Sequence, residues 1–233
     1  MFEKLPEALG EALDNVRAGL DQTVFHAVDL RHGMAALKLT SLAFADHAPI
    51  PQKYTADGPG FSPPLAWSGV PARATELLLV VEDADSPTPQ PLVHAIAVLP
   101  TEGAPDGALA EGAMSAVGDA TPSVRMGLNS LLREPWLPPD PPPGHGVHRY
   151  LFQVYALAAP GADGLDEDGD DDGDGRLPER PGRDAARSAI QRRGLASGCL
   201  VGTHERPSTR IPTSDADVVP RTVPGFGTPG AAA

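Results

Sequence analysis

The apolar positions of this chain change period near residue 37. Before it, Leu5, Leu9, Leu13, Val16 and Leu20 recur every three or four residues, with Glu7, Glu11, Asp14 and Arg17 between them. That spacing puts one apolar stripe on a helix and predicts an amphipathic helical extension over 1–33, docked on the domain or on a second subunit. Beyond it, the runs are short and dense. Leu37, Leu39, Leu42 and Phe44 predict a strand with a break near Ser41. The stretches 76–83 (ELLLVVED) and 93–99 (VHAIAVL) are nearly continuous apolar runs, as expected of strands buried on both faces. A third, 150–157 (YLFQVYAL), is rich in aromatic and β-branched residues. Pro-Pro, Asp-Gly, Ser-Gly and Pro-Gly pairs punctuate the intervals as turns. A later helix is predicted over 184–193 and a short last strand over 199–202. From Pro207 onward the Pro, Gly, Ser and Thr content predicts an extended or flexible tail over 207–233. The sum is a mainly β domain over 34–206 with a few peripheral helices.

Composition narrows the classes. The 233 residues hold no apolar run of the length a membrane-spanning helix needs. With 25 Gly and 27 Pro, short strands and turns are favoured over a helical bundle. One cysteine, Cys199, leaves no internal disulfide framework and no cysteine-based zinc site. The net charge of −13 argues against nucleic acid as a partner. Glu3, Glu7 and Glu11 interrupt the apolar run that an export signal would need, so a cytoplasmic location is expected.

Much of the acidity sits in one loop insertion, 161–182. Within it, Asp168, Asp170, Asp172 and Gly173, followed by Glu179, fit the twelve-residue calcium-loop spacing. Flanking helices are missing upstream, Gly175 stands where an apolar residue is usual, and Pro178 disfavours helix entry. The expectation is a solvated insertion, with calcium binding the lesser alternative.

Candidate chemistry lies where polar residues end buried runs, because an ionisable group there needs a partner or solvent. Asp83 and Asp85 close the first run, His94 opens the second, and His148 precedes the third after a Pro-rich loop. Each taken alone could be structural: a turn cap, a satisfied core histidine, an exposed ring.

The segments LTSLAFADHAPIPQKYTADGPGFSPPLAWSGVP, VVEDADSP, VHAIAVLP, PPDPPPGHGVHRYLFQVYAL and LVGTHER occur in the order seen in the phosphatidylethanolamine-binding protein family. Together they resemble its bacterial, Raf kinase inhibitor-like branch. The resemblance implies an antiparallel β-sheet domain with a small pocket for anions such as phosphate or phosphoryl head groups. Asp83, Pro87, His94, Pro142, His148 and Tyr150 would line it, with no cofactor and no turnover. Two imidazoles can donate to an anionic oxygen, Asp83 can orient one of them, and Tyr150 shares a face with His148. The chain departs from the family pattern at several places. Ala95 replaces the aromatic residue after the strand histidine, Ala84 a proline, and Asp140 a cysteine at the mouth. Ser130 stands where the family has aspartate and His204 where it has tyrosine. An acid at the mouth predicts weak anion affinity. The resemblance also admits inhibition of a kinase or protease through surface loops, and a homodimer. A His/His/Asp set could instead hold a metal for hydrolysis, although no Ser or Cys nucleophile stands in a recognisable motif.

Overall fold

The computed structural model describes residues 10, 12–13, 15–28, 35–115, 124–161 and 175–207. Ten strands follow in order: β1 (Ala35–Ala36), β2 (Lys38–Thr40), β3 (Ala48–Pro49), β4 (Leu65–Ser68), β5 (Ala74–Asp83), β6 (Leu92–Pro100), β7 (Asp106–Leu109), β8 (Arg125–Met126), β9 (His148–Ala158) and β10 (Gly194–His204). Among the described residues, α1 (Val24–Ala27) and α2 (Arg183–Arg193) accompany them.

The long strands build one sheet in the order β1-β10-β9-β5-β6-β8, with β3 also on β10. The pairs β10–β9, β9–β5, β5–β6 and β6–β8 are antiparallel. A smaller antiparallel sheet runs β2-β4-β7. Period-two alternation explains why the central strands read as unbroken apolar runs. Leu77, Leu79 and Val81 of β5 and Phe152 and Val154 of β9 join Leu39, Leu65 and Leu109 of the small sheet in one core. Leu78, Val80, Tyr155 and Leu157 point the other way, into a second core with Val24, Ala186, Ala189 and Ile190. The mainly β fold with peripheral helices is therefore layered: small sheet, large sheet, helices.

The three central strands stand where the pattern placed them, but two expectations change. The predicted last strand, 199–202, is only the middle of the eleven-residue β10. Its glycines and alternating polar residues hid the rest, because β10 pairs with β9 along its length and its pattern of burial is half-buried, not continuous. Leu42 is not a strand position. The strand ends at Thr40 and Leu42 is 98% exposed, while Phe44 re-enters the core. In the N-terminal segment, Leu5 and Leu9 lie outside the described residues, and 16–19 is not helical. Instead the Ala18 and Gly19 amides donate to the Ser86 and Ala84 carbonyls, laying the segment against the turn after β5. Of the acidic insertion, Asp168, Asp170 and Asp172 lie outside the described residues, as does the tail beyond 207.

Candidate functional site

The ends of β5, β6 and β9 converge. Asp83 pairs with Tyr150 across one ladder and with Leu92 across the other. His148, two residues before Tyr150 on β9, faces the same way. His94 reaches this face through a β-bulge. Ala95 stands opposite Val81 and Val93 opposite Glu82, so His94 has no partner on β5. By the alternation of Ile96 and Val98, which enter the helix-covered core, position 94 would face α2. The extra residue turns it toward Trp136 and Tyr150 instead, at ring separations of 6.1 and 5.2 Å.

A Pro-rich segment, 137–142, forms the opposite wall. His94 holds it from two sides: its carbonyl accepts from the Leu137 amide at 2.9 Å, and its Nδ1–H donates to the Leu137 carbonyl at 2.6 Å. Arg206 grips the far end, donating to Asp140 Oδ1 at 2.8 Å and the Pro141 carbonyl at 2.7 Å while also pairing with Asp57. Between the walls lies a hollow of about 340 Å³ of non-atom space, partly open to solvent, lined by Asp83, Pro87, His94, Pro142 and His148 together with Leu92, Leu137, Pro138, Asp140 and Pro141.

Five of the six expected pocket residues thus share one hollow. The sixth, Tyr150, does not line it but lies fully buried against the two histidines, its ring 6.4 Å from that of His148. One expected role changes. His148 was to donate to a ligand, but both its nitrogens are engaged: Nδ1 with Asp83 Oδ2 and Nε2 with His145 Nδ1, each at 2.7 Å. Asp83 Oδ2 is thus engaged with the His148 ring, and its other oxygen accepts from the Asp85 amide at 2.9 Å. Asp140 stands at the mouth, but Arg206 offsets its charge.

Beneath the histidines, Asp85 anchors the turn, accepting from the Arg149 backbone and, twice, from its guanidinium. Burial acts to raise the Asp85 carboxyl, but the hydrogen bonds from Arg149 outweigh it and hold it below the usual range. Burial lowers the proton affinity of His94 and of His145, and raises the Tyr150 phenol well above its ordinary value. Among the described residues, His94 Nε2, the Tyr150 hydroxyl and Trp136 Nε1 are buried polar atoms with no protein partner.

Sequence reasoning missed His145, Arg17 and Arg206. His145 was legible as the first histidine of the GHGVH stretch, and Arg206 as the last residue of LVGTHER. Nothing in the pattern marks Arg17, which donates to the His145 and Val147 carbonyls and pairs with Asp85 from 68 positions away in sequence. No group of three or more His, Cys, Asp or Glu among the described residues is arranged to hold a metal. No helix among them is long and apolar enough to cross a membrane.

Comparison with known proteins gives the chain its family. The family model described as phosphatidylethanolamine-binding protein matches residues 40–205. The chain belongs to that family. It is similar to a UPF0098 protein of Mycobacterium bovis, 40% identical over 124 residues, which cover 53% of this chain and 55% of the relative. It is also similar to LppC of Mycobacterium tuberculosis, a protein named as a lipoprotein, 39% identical over 134 residues, or 55% of this chain and 62% of the relative. The chain therefore spans little more than half the length of these mycobacterial relatives. The crystal structure of a phosphatidylethanolamine-binding protein homolog, CT736 of Chlamydia trachomatis, superposes with a TM-score of 0.57 at 32% identity, covering 73% of this chain and 98% of that one.

Proposed function

We propose that this chain is a regulatory ligand-binding module without turnover, whose hollow takes a small phosphoryl group. The observation that carries the reading is His94 Nε2, a buried nitrogen without a protein partner on a ring whose imidazole lines the hollow. Buried polar atoms are normally paired, and an unpaired one at a cavity points to a ligand. The tautomer then restricts the ligand. Nδ1–H is committed to the Leu137 carbonyl, and burial disfavours a second proton on the ring, so the neutral ring offers a lone pair at Nε2. Asp83 and Asp140 on the same walls are acceptors as well. The group that reaches His94 must bring its own hydrogen. A phosphomonoester below its second pKa, about 6, has one on oxygen.

The test compares monomethyl phosphate with dimethyl phosphate at pH 5. Both are monoanions there, and only the first bears a P–OH. The monoester is expected to bind and to shift the His94 ring signals, the diester to bind at least about ten-fold more weakly, and His94→Phe to remove the difference, at about 1.4 kcal/mol per ten-fold. Equal binding of the two esters would overturn the hydrogen requirement. Failure of the monoester and of phosphoethanolamine to bind at all would overturn the phosphoryl reading itself.

A further inference from the structure

Behind the hollow, four imidazole nitrogens stand in a line with a carboxylate at one end and a carbonyl at the other. Gly144 and Gly146, both at φ 75°, a backbone region that side chains other than glycine rarely enter, fold the GHGVH stretch back on itself. The turn brings the His145 and His148 rings to 4.8 Å between centroids, both with no exposed surface. His145 Nε2 meets the Leu13 carbonyl, His145 Nδ1 meets His148 Nε2, and His148 Nδ1 meets Asp83 Oδ2, each at 2.7 Å.

Counting hydrogens along this line leaves little freedom. A carbonyl only accepts, so His145 Nε2 bears a hydrogen. The nitrogen pair in the middle needs one hydrogen between its two lone pairs. The contact with Asp83 needs one more, on the imidazole or on the carboxyl. That makes three, whereas two neutral imidazoles and a carboxylate supply two. The surrounding charges balance without it: Arg17 and Arg149 face Asp85, with Arg17 donating to the loop carbonyls as well, and Arg206 lies between Asp57 and Asp140. Among the described residues, the remaining groups turned toward the two rings are Tyr150, whose phenol burial holds protonated, and His94 and His204, whose proton affinity burial lowers. Asp83 alone is left for the extra proton to neutralise.

We propose that Asp83, His148 and His145 together hold one extra proton, and that His145 is the positioning residue through which this proton fixes His148 at the hollow and ties the N-terminal segment to it at Leu13. Burial lowers His145, so the charge rests on His148 beside Asp83, and His145 stays neutral with its hydrogen on Nε2. Loss of the proton leaves one of the three contacts without a hydrogen: Leu13 without a donor, two lone pairs facing each other at the middle contact, or a lone pair on His148 Nδ1 set against the Asp83 carboxylate charge. The line opens at one link, and the segment that Arg17 and Leu13 fasten over the GHGVH turn loosens with it. The device couples the pocket's protonation to a stretch of chain more than 60 residues away in sequence, and it stands whether or not a phosphoryl group is the ligand.

The test is imidazole proton and nitrogen NMR on the full chain. At pH 6 the two rings are expected to show three N–H hydrogens, the central one far downfield, and to lose one of them in a single step that moves the signals of both rings as the pH rises to 9. Two hydrogens at pH 6, or two rings titrating independently, would overturn the proposal. A second measurement separates positioning from mere structure. In His145→Gln the amide NH2 keeps one hydrogen on the Leu13 carbonyl at every pH and can turn its oxygen or its second hydrogen to His148, so the hold on Leu13 no longer depends on the extra proton. The Ala18 and Gly19 amides, corrected for base-catalysed exchange, are expected to lose protection by about ten-fold between pH 6 and 9 in the native chain. They are expected to keep it in His145→Gln. Equal pH dependence in both proteins would count against the proposal.

Discussion

Glu82 and Asp83 are neighbours on β5, both buried, and they point to opposite faces of the sheet. Their surroundings differ in kind. Glu82 faces the helix layer and is fully answered: Oε2 accepts from the Val24 amide at 2.7 Å and from Gln153 Nε2 at 2.9 Å, and Oε1 from Arg183 Nε at 2.7 Å. Gln153 is itself satisfied by the Tyr155 hydroxyl at 2.8 Å. The countercharge is a guanidinium, which does not titrate. Asp83 faces the hollow, its partner is a histidine that can titrate, and close by lie His94 Nε2 and the Tyr150 hydroxyl without partners. One face is a clamp that fastens α1 and α2 to the sheet. The other has spare hydrogen-bonding capacity, and the contrast separates a structural buried acid from a candidate functional one.

The largest expected effect breaks the clamp. In Glu82→Ala, Arg183 loses its charge partner and Val24 and Gln153 lose their acceptor. Removing one side of a buried pair costs several kcal/mol, so a loss of about 3 kcal/mol is expected in the urea midpoint. The His94 ring signals and their response to monomethyl phosphate should stay as in the native chain, because the change lies across the sheet. A loss below about 1 kcal/mol would mean that the two faces do not differ as described.

How much of this contrast the sequence could carry depends on the kind of residue. Runs such as 76–83 and 150–157 announce strands buried on both faces because a continuous apolar stretch has few other uses. The place of Asp83, His94 and His148 at strand ends follows from the same runs. The bulge that turns His94 does not, since it depends on which residue of β5 stands opposite. The Glu82 clamp was illegible too: it joins Val24, Gln153 and Arg183 from four separate elements, and no local pattern links them. Resemblance to a family supplied Pro87 and Pro142, which periodicity would never single out. His145 was passed over because its role exists only through His148, and Arg17 because its partners, two backbone carbonyls and Asp85, all lie far from it in sequence.

A second, smaller effect sharpens the comparison through pH. Folded His94 binds a proton less readily than the unfolded ring, whose ordinary value is about 6.5. Above that value neither state is protonated and the buried ring contributes its full stability. As the pH falls below it, the unfolded chain takes up a proton that the folded protein refuses, and stability drops until the lowered folded value is reached. One such group gives a slope of up to about 1.4 kcal/mol per pH unit. As the pH falls below 6.5, His94→Phe is therefore expected to flatten the pH dependence of urea stability by at most one proton's worth. The burial of His145 and His204 acts in the same direction and remains in the variant. A pH profile unchanged by the substitution would show His94 to be as accessible to protons folded as unfolded.

The smallest effect sets two tyrosines of β9 against each other. Tyr155 and Tyr150 are both fully buried, on opposite faces of the same strand. The Tyr155 hydroxyl donates to Gln153 Oε1, so Tyr155→Phe leaves that oxygen unsatisfied inside the clamp, with an expected cost of about 1–2 kcal/mol. The Tyr150 hydroxyl has no protein partner. Removing it takes away a buried polar group that gains nothing in the free protein, so Tyr150→Phe is expected to leave stability unchanged or raise it by up to about 1 kcal/mol. The two substitutions remove the same atom from the same strand, so differences in β propensity or chain entropy cancel between them. If Tyr150→Phe proved the more destabilising of the two, the hydroxyl would have a partner inside the fold, and the spare capacity ascribed to this face would belong to His94 alone.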